Sequence, residues 1–561
     1  MDYKEEITKI LKKEIRAEIN LEIPPDNSLG DYAFPCFSLS KIYRKNPVEI
    51  ANELKAKIEK EKIPFIEKVE VKGPYVNFFI KKIDIIKDTL KKILDEKEKY
   101  GASRTGKNKK ALIEHTSINP NASPHVGRAR NALIGDSIVR ILKFQGYDVE
   151  THYFVNDVGK QIAMLVLGCG NARKKIEFDD LLKIYVEINK KAEANPEIEK
   201  QIFGLLNELE KKDKKTIKRF KDVVGICIKG QTKIFSELGI KYDEFDYESG
   251  YLWKNLTKEV LEKLKKTGKL FTDDEGRLVL NQEGHDLAMK SPVLVLTRAD
   301  GTSLYPLRDL AYTTDKINKK ADRNILVLGE DHKLYFQQIK AALELLNLKA
   351  PEAVHYSHVL LQESKMSTRE GNLVLLEDFM KEARQKAEKE ILKREPKISK
   401  KLLEKNSRII GYGAIKYSIL RVSAEKNVNF NWERALNFEG DSGPYMQYAY
   451  VRACSILKKY GKEIDEKIDY SLLNSKEEVE LIKKMSEFKN TVDDATENLR
   501  PHMIANYLSE LAKLFSEFYH ACQILKEDED LKKARLLLVS CAKQVLENGL
   551  KMLGIDVLER M

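Results

Sequence analysis

The 561-residue sequence is short of the features that would place it in a metal-stapled, secreted or membrane class. It has six cysteines (Cys36, Cys169, Cys227, Cys454, Cys522 and Cys541), with no C-x-x-C pair and no histidine at ligand spacing. That argues against protein-bound zinc and against a disulfide framework, and it leaves reduced, buried thiols as the reading. Long apolar runs are missing too. The longest, Ile162 to Leu167, falls far below the roughly 20 residues needed to cross a bilayer. The opening, Met1-Asp-Tyr-Lys-Glu-Glu, lacks the apolar stretch of a signal peptide. No internal repeat or low-complexity tract stands out. These absences predict a cytoplasmic protein with no membrane partner.

What is present is ordinary for a globular chain: 42% hydrophobic and 33% charged residues. The length exceeds what one hydrophobic core supports and predicts several domains. Lysine and arginine number 99 against 88 acidic residues, a net +11. Residues 1–110 hold 25 of the cations against 19 acids. This suits a polyanionic partner, and a general lysine bias would give it equally well.

Along the chain, Ile7, Ile10, Leu11 and Ile15 recur at helical spacing, and a second helix is expected from Pro47 to Ile58. Lys68 to Val71 alternates, Gly73-Pro74 turns, and Tyr75 to Ile80 resumes as strand. This predicts an α+β module over residues 1–105, ending in a basic, glycine-containing linker. Ala111-Leu-Ile, a helix from about His125 to Phe144 and a strand from Val149 to Val155 form a βαβ unit, the opening of a parallel sheet. Residues 170–235 are charged and helical, an insertion. Strand character returns at Val293 to Thr297, turns at Asp300-Gly301, and appears again at Ile325 to Leu328. From Tyr445 onward one helical pattern follows another, as in a bundle.

Two segments carry chemistry. Ile118 to Arg128 reads Ile-Asn-Pro-Asn-Ala-Ser-Pro-His-Val-Gly-Arg, directly after a strand and at the opening of a helix. Free backbone N–H groups and the positive helix end make such a turn an anion site. Lys365-Met-Ser-Thr-Arg369 puts cations and hydroxyls on a loop flanked by glycine, suited to gripping a polyphosphate. The pair, in this order and a domain apart, resembles the two ATP-binding signatures of class I aminoacyl-tRNA synthetases. The chain departs from the family pattern twice: Arg128 stands where a second histidine is usual, and Thr368 replaces the second lysine.

The resemblance implies that His125, Arg128, Lys365 and Arg369 are catalytic. It also implies an ATP site of His125, Gly127, Arg128, His332, Lys365, Ser367 and Thr368. A guanidinium substrate needs carboxylates, and the likeness narrows here to arginyl-tRNA synthetases. Tyr305-Pro-Leu-Arg-Asp309 matches a family pair that shares one face if helical. Glu248 matches an upstream glutamate, and Ser117 and Asn119 match positions that hold the amino and carboxylate groups. The implied function is ATP-dependent attachment of L-arginine to its tRNA through an arginyl-adenylate, with Mg2+ travelling with the nucleotide and no metal held by the protein. Tyr75 and Asn77 resemble the N-terminal module that contacts the tRNA elbow. Tyr445, Gln447, Tyr448 and Met561 resemble the anticodon-binding bundle, where exposed aromatics stack on bases.

The expected architecture is multidomain α/β and all-α, with a Rossmann-type parallel-sheet catalytic domain at 106–375, a connecting helical region at 376–440 and the bundle at 441–561. A monomer is expected. Two rivals stay open: the same scaffold serving another amino acid, lysine first, and a non-catalytic relative that binds tRNA or senses arginine.

Overall fold

The Ala111-Leu-Ile run is continuous rather than alternating because both faces of its strand are covered. In the computed structural model, which describes residues 3–24, 26–170, 175–361 and 374–560, Lys110–Glu114 is the central strand of a five-stranded, all-parallel sheet. Numbered by chain position, its strands are Lys110–Glu114, Asp148–Val155, Glu244–Tyr247, Arg323–Gly329 and Glu352–Tyr356. Their order across the sheet is fifth, fourth, first, second, third. The direction of winding reverses between the first and fourth strands. In open parallel sheets a crevice forms at such a reversal, outside the carboxyl ends of the strands.

The helix Val126–Phe144 follows the first strand and is buried along most of its length. Val293–Val295 is a strand, as expected, but it pairs antiparallel with Leu278–Asn281 in a separate three-stranded sheet that also holds Leu270–Thr272. The turn at Asp300-Gly301 forms: Gly301 has φ +83° and the Asp300 carboxylate accepts from Thr302 N–H.

The insertion is three helices, Phe178–Ala194, Pro196–Glu210 and Lys214–Glu237, packed with Lys160–Gly170 around Leu165, Leu181, Ile202 and Phe220. Asn195, with Pro196 behind it, and Asp213 cap the second and third of these helices through their side-chain oxygens, which satisfies backbone donors that helix starts leave free.

The chain divides into two compact units, residues 1–100 with 453–488 and 513–545, and residues 101–452 with 489–512 and 546–561. In the first, the antiparallel sheet has the order Tyr32–Pro35, Tyr75–Ile80, Ile66–Lys72. The helix Lys476–Ser486 belongs to this unit, where Lys483 reaches Asp31 at 2.5 Å and the Tyr100 hydroxyl donates to the Met485 carbonyl. The last 120 residues are helical as expected, but their two middle stretches join the N-terminal module in one unit. Among the described residues, no helix is long and apolar enough to cross a membrane.

Candidate active site

The second compact unit gathers most of the expected site residues at the carboxyl edge of the parallel sheet. After Glu114 the chain turns through Thr116 (φ 72°) and Ser117 (φ 43°). Left-handed geometry is costly for a β-branched residue and persists only where neighbours over-determine it. Three hydrogen bonds do so. Thr116 N–H donates to Asn131 Oδ1 at 2.5 Å, Thr116 Oγ1 meets the Tyr242 hydroxyl at 2.8 Å, and Phe154 N–H donates to Ser117 Oγ at 3.1 Å. Asn131 also donates to the Val327 carbonyl. One side chain of the signature helix thereby ties the turn to the fourth strand, across the reversal point.

His125 is the residue before the helix, in extended conformation, and its ring folds over Gly127. A Cβ at Gly127 would lie 3.0 Å from His125 Cε1 and 3.1 Å from Nδ1. The space that this glycine leaves is filled by the imidazole. Burial, and then the Arg128 charge, push the His125 pKa below its ordinary value, so the ring is neutral at neutral pH and offers one N–H donor. Arg128 is exposed, as is His332 in the short helical turn after the fourth strand. Asn119 is exposed and donates to Gln161.

Lys365, Ser367, Thr368 and Arg369 lie outside the described residues, as does Met561. The chain is described again from Val374. Val126 N–H donates to the Val374 carbonyl at 3.0 Å, and Leu376 N–H to the Pro124 carbonyl at 2.8 Å, a bridge that pairs His125 with Leu375.

Opposite the signature turn lies an acid wall. Tyr305 and Asp309 sit one turn apart on the helix Tyr305–Asn318, as their spacing predicted. Tyr305 is 38% exposed and packs beside Tyr335, whose hydroxyl donates to Asp309 Oδ2 at 2.9 Å. Desolvation pushes the Asp309 pKa up to about 6. The Tyr335 bond and Lys316 oppose this rise, and the Glu114 and Glu248 charges add to it. Glu114 was not anticipated. It closes the first strand, is 6% exposed, and acts electrostatically on both Tyr305 and Asp309. Its place at a strand's carboxyl end, three residues before Ser117, is the signal that could have found it.

Glu248 departs from expectation. It is 1% exposed, and its Oε1 already accepts from Arg308 Nε at 2.6 Å. Oε2 is sealed from solvent and has no hydrogen-bond partner among the described residues. Burial raises its pKa against the pull of Arg308. As the cleft stands, an internal guanidinium holds this carboxylate.

Two expected RNA contacts are also turned inward. Asn77 is 4% exposed, and Gln447 is fully buried, donating to the Asp556 carbonyl at 2.8 Å. Tyr75, Tyr445 and Tyr448 are half-buried. The Arg452 guanidinium lies 4.8 Å over the Tyr448 ring. Among the described residues no group of three histidine, cysteine, aspartate or glutamate side chains is arranged to hold a metal ion.

Comparison with known proteins gives the chain's family. The catalytic-domain model of class I (R) tRNA synthetases matches residues 89–432, the DALR anticodon binding domain matches 446–561, and the arginyl tRNA synthetase N-terminal domain matches 1–80. The arginine--tRNA ligase of Methanocaldococcus jannaschii is 41% identical over 571 aligned positions, covering 100% of this chain and 98% of that one. That of Methanosarcina mazei is 38% identical with full coverage of both. The solved Thermus thermophilus arginyl-tRNA synthetase superposes with a TM-score of 0.85 at 27% identity, covering 99% of each chain. Full-length identity of about 40% and three matching domain models in one order leave one conclusion: the chain belongs to the arginyl-tRNA synthetase family of class I.

Proposed function

We infer that the chain attaches L-arginine to its cognate tRNA at the expense of ATP. The observation that carries the reading is the cluster of Asp309, Glu114 and Tyr305 beside the end of the strand that leads into the His125 turn. The acids receive the guanidinium, a planar cation with five donors that no loss of a proton can neutralise. Asp309 is the principal ligand, with Tyr305 beside it on the same helix face. Ser117 and Asn119, at the signature turn, take the amino and carboxylate ends.

The substrate carboxylate then attacks the α-phosphorus of ATP. A P–O bond forms to the carboxylate, the bond to the β-phosphate oxygen breaks, and pyrophosphate leaves. His125 donates its N–H to the α-phosphate oxygens as their charge grows, and Lys365 and Arg369 hold the departing pyrophosphate, with Ser367 and Thr368 as hydroxyl donors. Arg128 donates to phosphate in place of the usual histidine, and His332 borders the adenosine. Mg2+ rides with the nucleotide, held chiefly by its phosphates. A terminal ribose hydroxyl of the tRNA next attacks the arginyl carbonyl and AMP departs. Positioning and charge stabilisation supply the rate, with no covalent enzyme intermediate.

Residues 1–105 meet the tRNA elbow, with Tyr75 the outward contact. Residues 441–561 read the anticodon, with Tyr445 and Tyr448 as the stacking residues. The protein acts as a cytoplasmic monomer. The test is amino-acid-dependent pyrophosphate exchange with each of the twenty amino acids, with and without tRNA. Arginine should support exchange, and only with tRNA present. A preference for lysine would sink the arginine reading, and tRNA binding without exchange would make the chain a non-catalytic relative.

A further inference from the structure

Beneath the acid wall lies a buried polar cluster that the reaction as described does not use. Lys316 is 2% exposed, on the same helix as Tyr305 and Asp309. Its ammonium donates to Glu114 Oε2 and sits 4.2 Å over the Tyr312 ring. The Tyr312 hydroxyl reaches the same Oε2 at 2.8 Å and Asp246 Oδ2 at 2.9 Å. Asp246 Oδ2 also meets His152 Nδ1 at 2.5 Å, and His152 Nε2 meets Glu150, which Lys319 contacts. Glu114 therefore has one oxygen held from below by the Lys316 ammonium, with the single Tyr312 proton shared between that oxygen and Asp246. The other, Oε1, lies on the Ser117 side, with Ser117 Oγ at 3.3 Å.

We propose that Lys316 is the positioning residue of the arginine cleft: with Tyr312 it pins Glu114 by Oε2, so that Oε1 is presented to the incoming guanidinium. This rests on the reading of Glu114 and Asp309 as the arginine wall. The physical need is plain. Glu114, Asp309, Asp246 and Glu248 crowd one poorly hydrated corner, and without a fixed counter-charge they would repel one another or take up protons. Arg308 serves Glu248, and His152 serves Asp246 from the far side. Lys316 is the described cation that bonds Glu114, and its charge also acts on Asp309 and Asp246. The other groups at this corner are the phenols Tyr305, Tyr335 and Tyr251, kept neutral because burial raises their pKa, and Asp157, whose charge acts on Glu248. A lysine here touches neither substrate. It acts through the carboxylate it holds and by limiting the negative charge of the cleft.

The test compares Lys316→Met, Tyr312→Phe and Glu114→Gln in the full-length enzyme, with KM measured separately for arginine and ATP. Lys316→Met should raise the arginine KM at least tenfold and leave the ATP KM within twofold. It should also move the pH below which arginine binding weakens upward from about 6, because Asp309 loses a stabilising cation. Tyr312→Phe, which keeps the ring and removes one donor, should raise the arginine KM several-fold and serves as the readout if Lys316→Met does not fold. Glu114→Gln separates the two ideas. If it leaves the arginine KM unchanged, the reading of the cleft is wrong. If it raises that KM while the Lys316 and Tyr312 variants do not, the cleft stands and the positioning role falls. Equal losses for arginine and ATP would mark Lys316 as merely structural and overturn the proposal.

Discussion

The two walls of the crevice are built on opposite principles. The acid wall is rigid and pre-paired: Asp309 is held by Tyr335, Glu114 by Lys316 and Tyr312, and Glu248 by Arg308. The proposed phosphate wall is a turn and a helix start, with His125 half-buried and Arg128 and His332 exposed. The difference follows from the ligands. Arginine must be told apart from nineteen other side chains, and a site whose buried carboxylates are left unmatched rejects the wrong one strongly. ATP needs no such discrimination in its triphosphate. What matters there is that donors meet charge as it develops, the part proposed for the backbone turn and the signature cations.

The sharpest way to break this contrast is Asp309→Asn. The carboxamide keeps the shape and removes the charge, so a charge-assisted bond is lost and a guanidinium faces a poorer partner. Such losses cost about 2–5 kcal/mol, so the arginine KM should rise by roughly thirtyfold or more. ATP binding, measured by nucleotide protection or by KM, should stay near wild type. Equal damage to both substrates would show that the two walls are not separate.

How far the sequence carried this picture depends on how local each feature is. The signature turn, the helix behind it and the Tyr305–Asp309 face were legible because each is set by residues within a few turns of one another. Glu114 was not, although it stands three residues from Ser117. Its membership in the site comes from Tyr312 and Lys316, about 200 positions downstream in separate bonds, and only the strand order brings them together. The Glu244–Tyr247 strand escaped notice because its acids, Glu244 and Asp246, mask it. Asp246 is itself spent on His152 and Tyr312. Glu248 was singled out by pattern, but the neighbour that occupies it, Arg308, lies inside the very motif used to find Asp309. The inward-facing Asn77 and Gln447 show the same limit: a motif gives the residue type, and packing decides which way the side chain turns.

A second, smaller effect separates the walls by pH. Asp309 titrates at about 6 because desolvation and neighbouring acids favour its protonated form. Arginine binding needs the carboxylate. It should therefore be full at pH 7.5 and above, and weaken as the pH falls through about 6, approaching tenfold per unit well below it. The His125 ring has its pKa pushed the other way, below its ordinary value, by burial and then by the Arg128 charge. Across that window the arginine KM should climb while the ATP KM moves little. A parallel rise in both would place the titrating group outside the acid wall.

The smallest expected effect probes the phosphate wall alone. Gly127 lies in the first turn of its helix, where alanine is favoured over glycine by about 1 kcal/mol. The position has no positive φ among the glycines that require one. On helix propensity alone Gly127→Ala should stabilise the fold. The new Cβ, however, would sit 3.0 Å from His125 Cε1, closer than atoms of that kind pack, and the imidazole must give by a few tenths of an ångström. His125 is the donor proposed for the α-phosphate, and donors of this kind act through geometry. The expected result is a Tm equal to or above wild type, kcat for pyrophosphate exchange down by a few-fold, and an unchanged arginine KM. A rise in arginine KM would mean that the turn and the acid wall are mechanically one piece, joined through Asn131 and the strand it grips, and the separation argued from the fold would have to be abandoned.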